Sequence, residues 1–371
     1  MKPADPQHLP LREIDWEPLI PLIVRANRSL AHYDGVLHGV PNPEVLLAPL
    51  TTEEAVLSSR IEGTQATLGE VYRFEAGEAP AMESRRQDIG EILNYRRALR
   101  VAEKELRTRP FHLNLLLRLH AILLDSVRGQ NKARGIFRTE QNWIGTSGTP
   151  LAQAAFVPPA PDALPVLLDN WEKYYHAQQP DALVQLAIVH AQFEILHPFL
   201  DGNGRLGRIL IPLFLHEKEI LHRPMFYLSA WLEARRDAYI EHLRPLGKEP
   251  GAWNRWITFF LTGLDEQARI NSGKARNILD LYESMKLRTL ALTRSQHAIP
   301  LLDQLFEKPV FEGSDLKFGE RPPTRAAIFN LLRALRDGGV LKVMREGGGR
   351  HATIYAFADL INLCEGKQVV P

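Results

Sequence analysis

His197–Arg208, HPFLDGNGRLGR, lies between two apolar helical segments that together decide the fold. Before it, residues 181–196 (DALVQLAIVHAQFEIL) are apolar on nearly every face, which predicts a buried central helix. After it, a second apolar helix is predicted from about Asn203 to Glu219, with Pro212 inside it as a source of bending. These segments predict a mainly α fold around the glycine-rich loop.

The rest of the first 270 residues follows helical periodicity, with one exception. The stretch 139–162 is rich in Gly, Thr and Pro and contains two β-like pieces, QNWIG and AAFVP, so it predicts a hairpin flap between helices. A helix is expected over about 51–63, with Thr51 and Glu54 in capping-box spacing at its start. The other predicted helices cover residues 88–107, 111–127, 163–178, 229–245 and 252–268.

The composition of the chain argues against several classes of protein. The 371 residues carry a net charge of +1, which argues against a strongly basic nucleic-acid binder. Cys364 is the single cysteine, so an intrachain disulfide framework and a multi-cysteine zinc site are excluded. The first residues lack the apolar core of a secretory signal, and no apolar run reaches membrane-spanning length. We therefore expect a cytoplasmic protein with no membrane contact.

The pattern changes after about residue 275. Helices are predicted over 295–307 and 324–337, followed by two β-like strands around a glycine turn in VLKVMREGGGRHATIYAF. Two helices and a hairpin suggest a winged helix-turn-helix, which could bind DNA or serve as a protein-interaction or dimerisation module. Residues 291–371 carry 11 Lys and Arg against 9 Asp and Glu, a weak footprint for DNA. The candidate DNA contacts are Arg325, Arg333, Arg336, Arg345 and Arg350.

The glycines of the loop match G-x-G-x-x-G, the dinucleotide fingerprint, at Gly202, Gly204 and Gly207. That fingerprint requires a strand before the glycines and an acidic residue on a second strand about twenty positions later. Here a helix precedes the glycines and no strand pattern follows at that distance. The Rossmann interpretation is rejected, and no P-loop motif is present in the sequence either.

The same loop still suits phosphate chemistry. A helix start exposes unpaired N–H groups and a positive dipole end, which attract phosphate. Arg205 and Arg208 can form forked hydrogen bonds to phosphate oxygens, and Asp201 is a hard ligand suited to Mg²⁺. His197 can act as a general base because its ordinary pKa lies near neutrality. This set predicts phosphoryl or nucleotidyl transfer.

The whole stretch resembles the signature of Fic-domain proteins, H-P-F-x-[D/E]-G-N-G-R-x-x-R, at every specified position. ARGIFR at 133–138, QNWIG at 141–145 and FVPP at 156–159 resemble the lead-in and target-docking flap of that family. The resemblance covers about residues 10–270. It implies an N-terminal helical region (1–110) with an inhibitory helix (about 51–63) and a Fic-type helical core with a small β-hairpin flap (111–270). The pattern after residue 275 adds a winged-helix-like domain (275–371).

The resemblance implies adenylylation, the transfer of AMP from ATP to a Ser, Thr or Tyr hydroxyl of a protein. It makes His197 the base, Phe199 the anchor of the loop, Asp201 the Mg²⁺ ligand and Arg208 the contact of the γ-phosphate. Gly204 favours adenylyl transfer, because the similar Doc kinase branch carries Lys there. We interpret His190 as a hydrogen-bonded core residue. The nucleotide-binding residues implied are Gly202, Asn203, Gly204, Arg205, Leu206, Gly207, Arg208 and Tyr239.

The segment SSRIEG resembles the inhibitory motif of Fic proteins, with Ser58, Glu62 and Gly63 at its specified positions. Glu62 is expected to pair with Arg208 and so to occupy the arginine that the γ-phosphate needs. Several alternatives stay open: another donor nucleotide, removal of AMP, or a DNA-binding regulator with a nucleotide-sensing Fic core. The protein target is unknown, and both self-modification and a homodimer are expected from similar proteins.

Overall fold

The computed structural model describes residues 2–125, 133–145, 150, 153–319, 322–348, 351–368 and 370. Helices account for most of these residues and three short strands form one sheet, which confirms the mainly α fold. The helices are α1 (Ile20–Gly39), α2 (Pro43–Leu46), α3 (Ala48–Ile61), α4 (Leu68–Glu75), α5 (Glu83–Leu106), α6 (Leu113–Leu123), α7 (Leu164–His176), α8 (Ala182–Leu196), α9 (Asn203–Glu217), α10 (Ser229–Ala234), α11 (Arg236–Leu243), α12 (Ala252–Thr293), α13 (Ala298–Glu307), α14 (Arg325–Asp337) and α15 (Ala358–Glu365).

Helix α8 is the predicted buried central helix. Asp181 caps its start, because one carboxylate oxygen accepts the N–H groups of Leu183 and Val184, each at 2.9 Å. Nearly every residue of α8 is buried, as its apolar sequence requires. α8 packs against α7 and α9, and α9 also packs against α6. These contacts fix the positions of the two helices that the loop between α8 and α9 joins.

Several predicted helix boundaries are wrong, among them the start of α5, which begins at Glu83 rather than Asp88. α3 begins at Ala48 rather than Thr51, because Pro49 is tolerated in a first helical turn. The predicted helix 229–245 is broken at Arg235 into α10 and α11. α12 continues through residue 293 instead of ending near 268, since Ile278, Tyr282 and Met285 keep one buried helical face.

The described residues of the flap form a hairpin contact as predicted. The Ile144 N–H donates to the Phe156 carbonyl at 2.8 Å, and the Phe156 N–H donates back to the Ile144 carbonyl at 3.1 Å. The remainder of the predicted flap includes 146–149 and 151–152, which lie outside the described residues.

The C-terminal residues contain the predicted helices and hairpin together with one strand that was not predicted. The strands are β1 (Val310–Glu312), β2 (Lys342–Arg345) and β3 (Ile354–Ala356), and they form an antiparallel sheet in the order β1-β3-β2. Val310 and Lys342 both lie opposite Ala356. With α13 and α14, this arrangement is compatible with a winged helix.

The chain divides into two compact units. The first comprises Met1–Asp34, Leu57–Thr64 and Leu93–Arg269, and the second comprises Gly35–Val56, Gln65–Ile92 and Ile270–Pro371. The glycine-rich loop, the flap and the predicted inhibitory residues all belong to the first unit. Across the described part of the chain, no helix is both long enough and apolar enough to cross a membrane.

Candidate functional site

The loop between α8 and α9 turns sharply at both ends. His197 ends α8 in the left-handed conformation, with φ 44°, and Gly202 starts α9 with φ 79°. A β-carbon at Gly202 would be strained by its φ and would lie 3.3 Å from Leu123. The two turns bring His197 close to the first turn of α9.

Buried polar side chains fix this loop. Arg138 is buried, and its Nε donates to the His197 carbonyl at 2.9 Å while Nη2 donates to the Pro159 carbonyl at 2.5 Å. The Asn203 side chain accepts the Phe199 N–H at 2.9 Å and donates to the Phe199 carbonyl at 2.8 Å. Asn203 therefore shapes the loop through its side chain. Phe199 is fully buried, as expected for an anchor.

His120 on α6 holds the loop through hydrogen bonds and ring stacking. Its Nδ1 accepts the Gly135 N–H at 2.8 Å, so Nε2 carries the proton and donates to the Asp201 carbonyl at 3.1 Å. Its ring stacks on Phe199 with centroids 3.9 Å apart. Burial lowers the pKa of His120 to about 4, which keeps the ring neutral in this role.

The start of α9 is prepared for an anion. Gly202, the residue before this helix, makes no side-chain hydrogen bond that caps it. A helix start of this kind offers backbone N–H donors to an anion. Asp201 is half-exposed beside it, and its Oδ1 accepts the Gly202 N–H at 2.6 Å and Arg205 Nη2 at 3.3 Å. The positive end of the helix dipole adds to the attraction for negative charge.

Arg208 is held by the residues of the predicted inhibitory motif. Its side chain is only 1% exposed, and Nε donates to Ser58 Oγ at 2.8 Å while Nη2 donates to the Ser58 carbonyl at 2.9 Å. Nη2 also lies 2.6 Å from Glu62 Oε1, in the ion pair that the resemblance implies. Gly63 follows as part of the turn that ends α3, and its N–H donates to the Arg60 carbonyl.

The two partners of this pair have different exposure. Burial would raise the pKa of the Glu62 carboxyl, but Arg208 outweighs that effect and holds the pKa below its ordinary value. The Glu62 side chain remains 38% exposed, so solvent screens part of the attraction. The carboxylate nevertheless sits tightly over α9, because a β-carbon at Gly204 would lie 2.3 Å from Glu62 Oε1.

A cavity of about 400 Å³ opens beside this pair, within the size range of small-molecule sites. His197, Arg208, Glu62 and Glu194 line its polar side, and Arg236 and Arg244 are also part of the lining. Its apolar walls come from the ends of α3 and α8, the flap and α11. They include Ile61, Ile144, Phe156, Ile195, Ile240 and Leu243.

Tyr239 lies in this lining and is tied to the helices beneath it. His190 Nδ1 contacts the Gly207 carbonyl at 3.1 Å, and since a carbonyl only accepts, Nδ1 carries the proton. His190 Nε2 then accepts the Tyr239 hydroxyl at 2.9 Å. This hydrogen-bonded pair confirms His190 as a core residue, and burial lowers its pKa to about 3.

His197 is neutral in this environment. Burial lowers the pKa of its imidazole to about 4, against the opposing effect of Glu62. A neutral imidazole at the cavity wall can accept a proton at pH 7.

The structure separates the predicted site residues into two groups. Five of them line the cavity, whereas the others lie outside its lining, and Leu206 is fully buried in the core. Those in the lining are Glu62, His197, Gly204, Arg208 and Tyr239. Those outside it are Ser58, Gly63, Asp201, Gly202, Asn203, Arg205, Leu206 and Gly207.

Sequence reasoning missed several residues that shape the site. Arg138 and His120 hold the loop from 59 and 81 positions away, and no local pattern marks such contacts. Arg236 Nε donates to the Ile61 carbonyl at 3.1 Å, at the end of α3. Glu194 could have been noticed as an acidic residue in an otherwise apolar helix.

Two family models match the sequence of this chain, and one of them includes the glycine-rich loop. The model described as "Fic/DOC family N-terminal" matches residues 20–104, and the "Fic/DOC family" model matches residues 110–215. A probable protein adenylyltransferase of Aquifex aeolicus is 28% identical over 198 residues, covering 53% of this chain and 57% of that protein. The protein adenylyltransferase Fic of Drosophila mojavensis is 30% identical over 106 residues, covering 27% of this chain and 18% of that protein.

Solved structures share the fold. A Fic family protein from Desulfovibrio desulfuricans G20 has a TM-score of 0.60 at 17% identity, covering 95% of this chain and 98% of that one. Fic-1 from C. elegans has a TM-score of 0.54 at 20% identity, covering 71% of this chain and 74% of that one. The complete loop signature, the two family models and the shared fold lead to one conclusion: this chain belongs to the Fic/DOC family.

Proposed function

We propose that this chain transfers AMP from ATP to a hydroxyl group of a protein and that Glu62 holds it in an inhibited state. The observation that carries the proposal is the shared cavity: a neutral His197 and the anion-binding Arg208 line the same wall. The adenylyltransferase names of the relatives support this reaction.

The residues present fit ATP and Mg²⁺. The uncapped start of α9 and Arg205 and Arg208 suit phosphate groups, and the apolar walls with Tyr239 suit a purine base. Asp201 offers a half-exposed carboxylate at the same helix start, and Mg²⁺ commonly uses one or two carboxylates together with substrate phosphates. When bound there, Mg²⁺ would neutralise phosphate charge and support departure of pyrophosphate.

The protein residues perform the proton transfer and the positioning. The hydroxyl oxygen of the target forms a bond to the α-phosphorus, and the bond from that phosphorus to the β-phosphate oxygen breaks, releasing pyrophosphate. His197 accepts the hydroxyl proton, which its low pKa allows at pH 7. Arg138 keeps His197 in place by holding its carbonyl. Exposed Trp143 and Ile144 on the flap present an apolar edge to the target next to the cavity.

Inhibition follows from competition for one arginine. Arg208 already donates to Ser58 and Glu62, so a phosphate must displace the Glu62 carboxylate to reach it. A carboxylate left near the phosphate would also repel it. Glu62 is therefore assigned as the inhibitory residue, with Ser58 and Gly63 as its structural support.

Intact mass after incubation with Mg²⁺ and ATP tests this function. The Glu62→Gly variant is expected to gain one or more AMP groups, the unaltered chain fewer, and the Glu62→Gly/His197→Ala variant none. If ATP binds but no AMP appears on Glu62→Gly or on any protein of a bacterial lysate mixed with it, the proposal is overturned. Parallel incubations with UTP and CDP-choline identify another donor, and loss of AMP from premodified protein identifies AMP removal.

A second candidate function is nucleic-acid binding by the C-terminal residues. Arg325, Phe329, Arg333 and Arg336 lie on one exposed face of α14, and Arg333 stacks over the Phe329 ring at 4.8 Å. Arg336 pairs with Asp337 at 2.8 Å and Arg345 with Glu312 at 3.3 Å, whereas Arg350 lies outside the described residues. Duplex DNA binding by the full chain should weaken with salt and with Arg325→Ala/Arg333→Ala. Absence of salt-sensitive binding would exclude this role.

A further inference from the structure

Glu194 is an acid near the end of α8 that the family signature does not include. It lines the cavity together with His197 and Arg208, three positions before His197 in the chain. Its Oε1 is buried, and among the described residues no group forms a hydrogen bond to that atom. An unsatisfied buried oxygen destabilises a fold, so its presence at a cavity wall needs a reason.

The Glu194 carboxyl packs against the backbone of α9 at a glycine, where no side chain intervenes. Gly204 and Gly207 are three residues apart on α9 and share a face of that helix. Glu62 Oε1 covers Gly204, and Glu194 Oε1 covers Gly207, since a β-carbon at either glycine would lie 2.3 Å from the carboxylate oxygen above it. Arg208 follows directly. The first two turns of α9 therefore carry two carboxyl groups near its positive end, with Arg208 beside them.

The charges around Glu194 favour its neutral form. Burial raises the pKa of the Glu194 carboxyl to about 7, Arg208 on α9 opposes that rise, and Glu62 adds to it. His190 and His197 on α8 are neutral, and burial raises the pKa of Tyr239 on α11, which is also neutral. Arg208 is the cation that acts on Glu194, and Glu62 already pairs with it. Arg236 and Arg244 of α11 and its end also line the cavity, and Arg236 donates to the Ile61 carbonyl.

We propose that Glu194 binds the donor nucleotide as a neutral carboxylic acid, donating its O–H to a nucleotide oxygen beside the group held by Arg208. This role rests on the proposed function, since it concerns the same nucleotide. In the ionised form, Glu194 would offer only acceptors and a negative charge to a phosphate oxygen, which itself only accepts. Glu194 is therefore assigned as a residue that sets nucleotide affinity according to its protonation.

The proposal predicts a specific pH dependence. With a pKa of about 7, the neutral fraction of Glu194 falls roughly tenfold between pH 6 and pH 8, so nucleotide affinity should fall by up to about tenfold. Glutamine has nearly the same shape and always carries a donor, so Glu194→Gln should remove this dependence.

The test is calorimetric binding of Mg²⁺–ATP to the full chain at pH 6, 7 and 8. Both proteins retain Glu62, which preserves the charges around Glu194 and limits AMP transfer, and one carries Glu194→Gln. The nucleotide's own titration is common to both and cancels in the comparison. The expected result is that Kd rises about five- to tenfold from pH 6 to pH 8 only in the protein that retains Glu194. Equal pH dependence in both proteins would overturn the proposal.

Two further variants complete the experiment. Glu172→Gln is a matched control, because Glu172 accepts the Leu113 N–H outside the cavity lining, and it should leave the pH dependence of Kd unchanged. If Glu194→Gln does not fold, Glu194→Asn serves in the same comparison. Binding is measured without AMP transfer, so failure of the transfer reaction and failure of this assignment are separate outcomes.

Discussion

Replacing Glu62 with glycine perturbs the Arg208 ion pair directly. The pair is a charge-assisted hydrogen bond of 2.6 Å to an arginine that is 1% exposed. Such bonds contribute about 1.5–3 kcal/mol. Because 38% of the Glu62 side chain is exposed, solvent screening reduces the contribution to about 1–2 kcal/mol.

Loss of this competitor should appear as tighter nucleotide binding. At 1.4 kcal/mol per tenfold change, about 1–2 kcal/mol corresponds to a Kd for Mg²⁺–ATP that is about 5- to 30-fold lower. Isothermal titration calorimetry of the two proteins at pH 7 measures this ratio, with His197→Ala added to each protein compared so that no AMP is transferred during the titration. The Glu62→Gln variant keeps the volume and a weaker neutral hydrogen bond, so its Kd should lie between those two values.

The outcome separates two accounts of Glu62. If Glu62 blocks the phosphate site, Kd follows the order unaltered chain, Glu62→Gln, Glu62→Gly, from weakest to tightest. If Glu62 is only a solvated charge at the end of α3, all three values agree within twofold. That agreement would refute the reasoning from the ion pair.

Three further predictions concern the supports of the site. Ser58→Ala should lower the free energy of unfolding by about 1–3 kcal/mol in urea titrations, because Arg208 Nε loses a buried acceptor; Ser58→Thr, which keeps a hydroxyl, should lose less. Arg138→Met in the Glu62→Gly background should slow AMP transfer at least tenfold while Kd for ATP changes less than threefold. The reason is that Arg138 holds the His197 carbonyl from outside the cavity lining. An unchanged transfer rate would show that Arg138 does not position His197. Acid should destabilise the fold between pH 6.5 and 4. Burial lowers the pKa of His120 to about 4, so in this range the unfolded state binds a proton that the folded state does not. The free energy of unfolding should therefore fall by about 1.4 kcal/mol per pH unit. Urea unfolding at pH 7 and 5.5 should show a smaller loss in His120→Asn than in the unaltered chain.

The central helices could be predicted because their signals are local. An unbroken apolar run with Asp181 before it determines α8, and the helix forms over the predicted residues. The loop signature likewise places His197, Gly204 and Arg208 near one another, since few conformations join two adjacent buried helices over so short a distance. The fold class follows from these features.

Other features depend on contacts that sequence patterns do not record. β1 has three residues and exists through its pairing with β3, 46 positions along the chain from Val310 to its partner Ala356. α12 extends far beyond its predicted end because residues after 268 find buried positions for Ile278 and Tyr282. The only local signal at Glu194 is an acid in an apolar helix, and its position against Gly207 and beside Arg208 appears only in the folded structure.

The most direct test of the central claim follows the two ends of the ATP triphosphate. Glu62→Gly protein is incubated with Mg²⁺ and ATP labelled at either the α- or the γ-phosphate, alone and with a bacterial lysate, and protein-bound label is counted. Label from the α-phosphate, none from the γ-phosphate, and no label with Glu62→Gly/His197→Ala is the predicted result. Transfer of the γ-label, or undiminished α-label without His197, would contradict AMP transfer through this site.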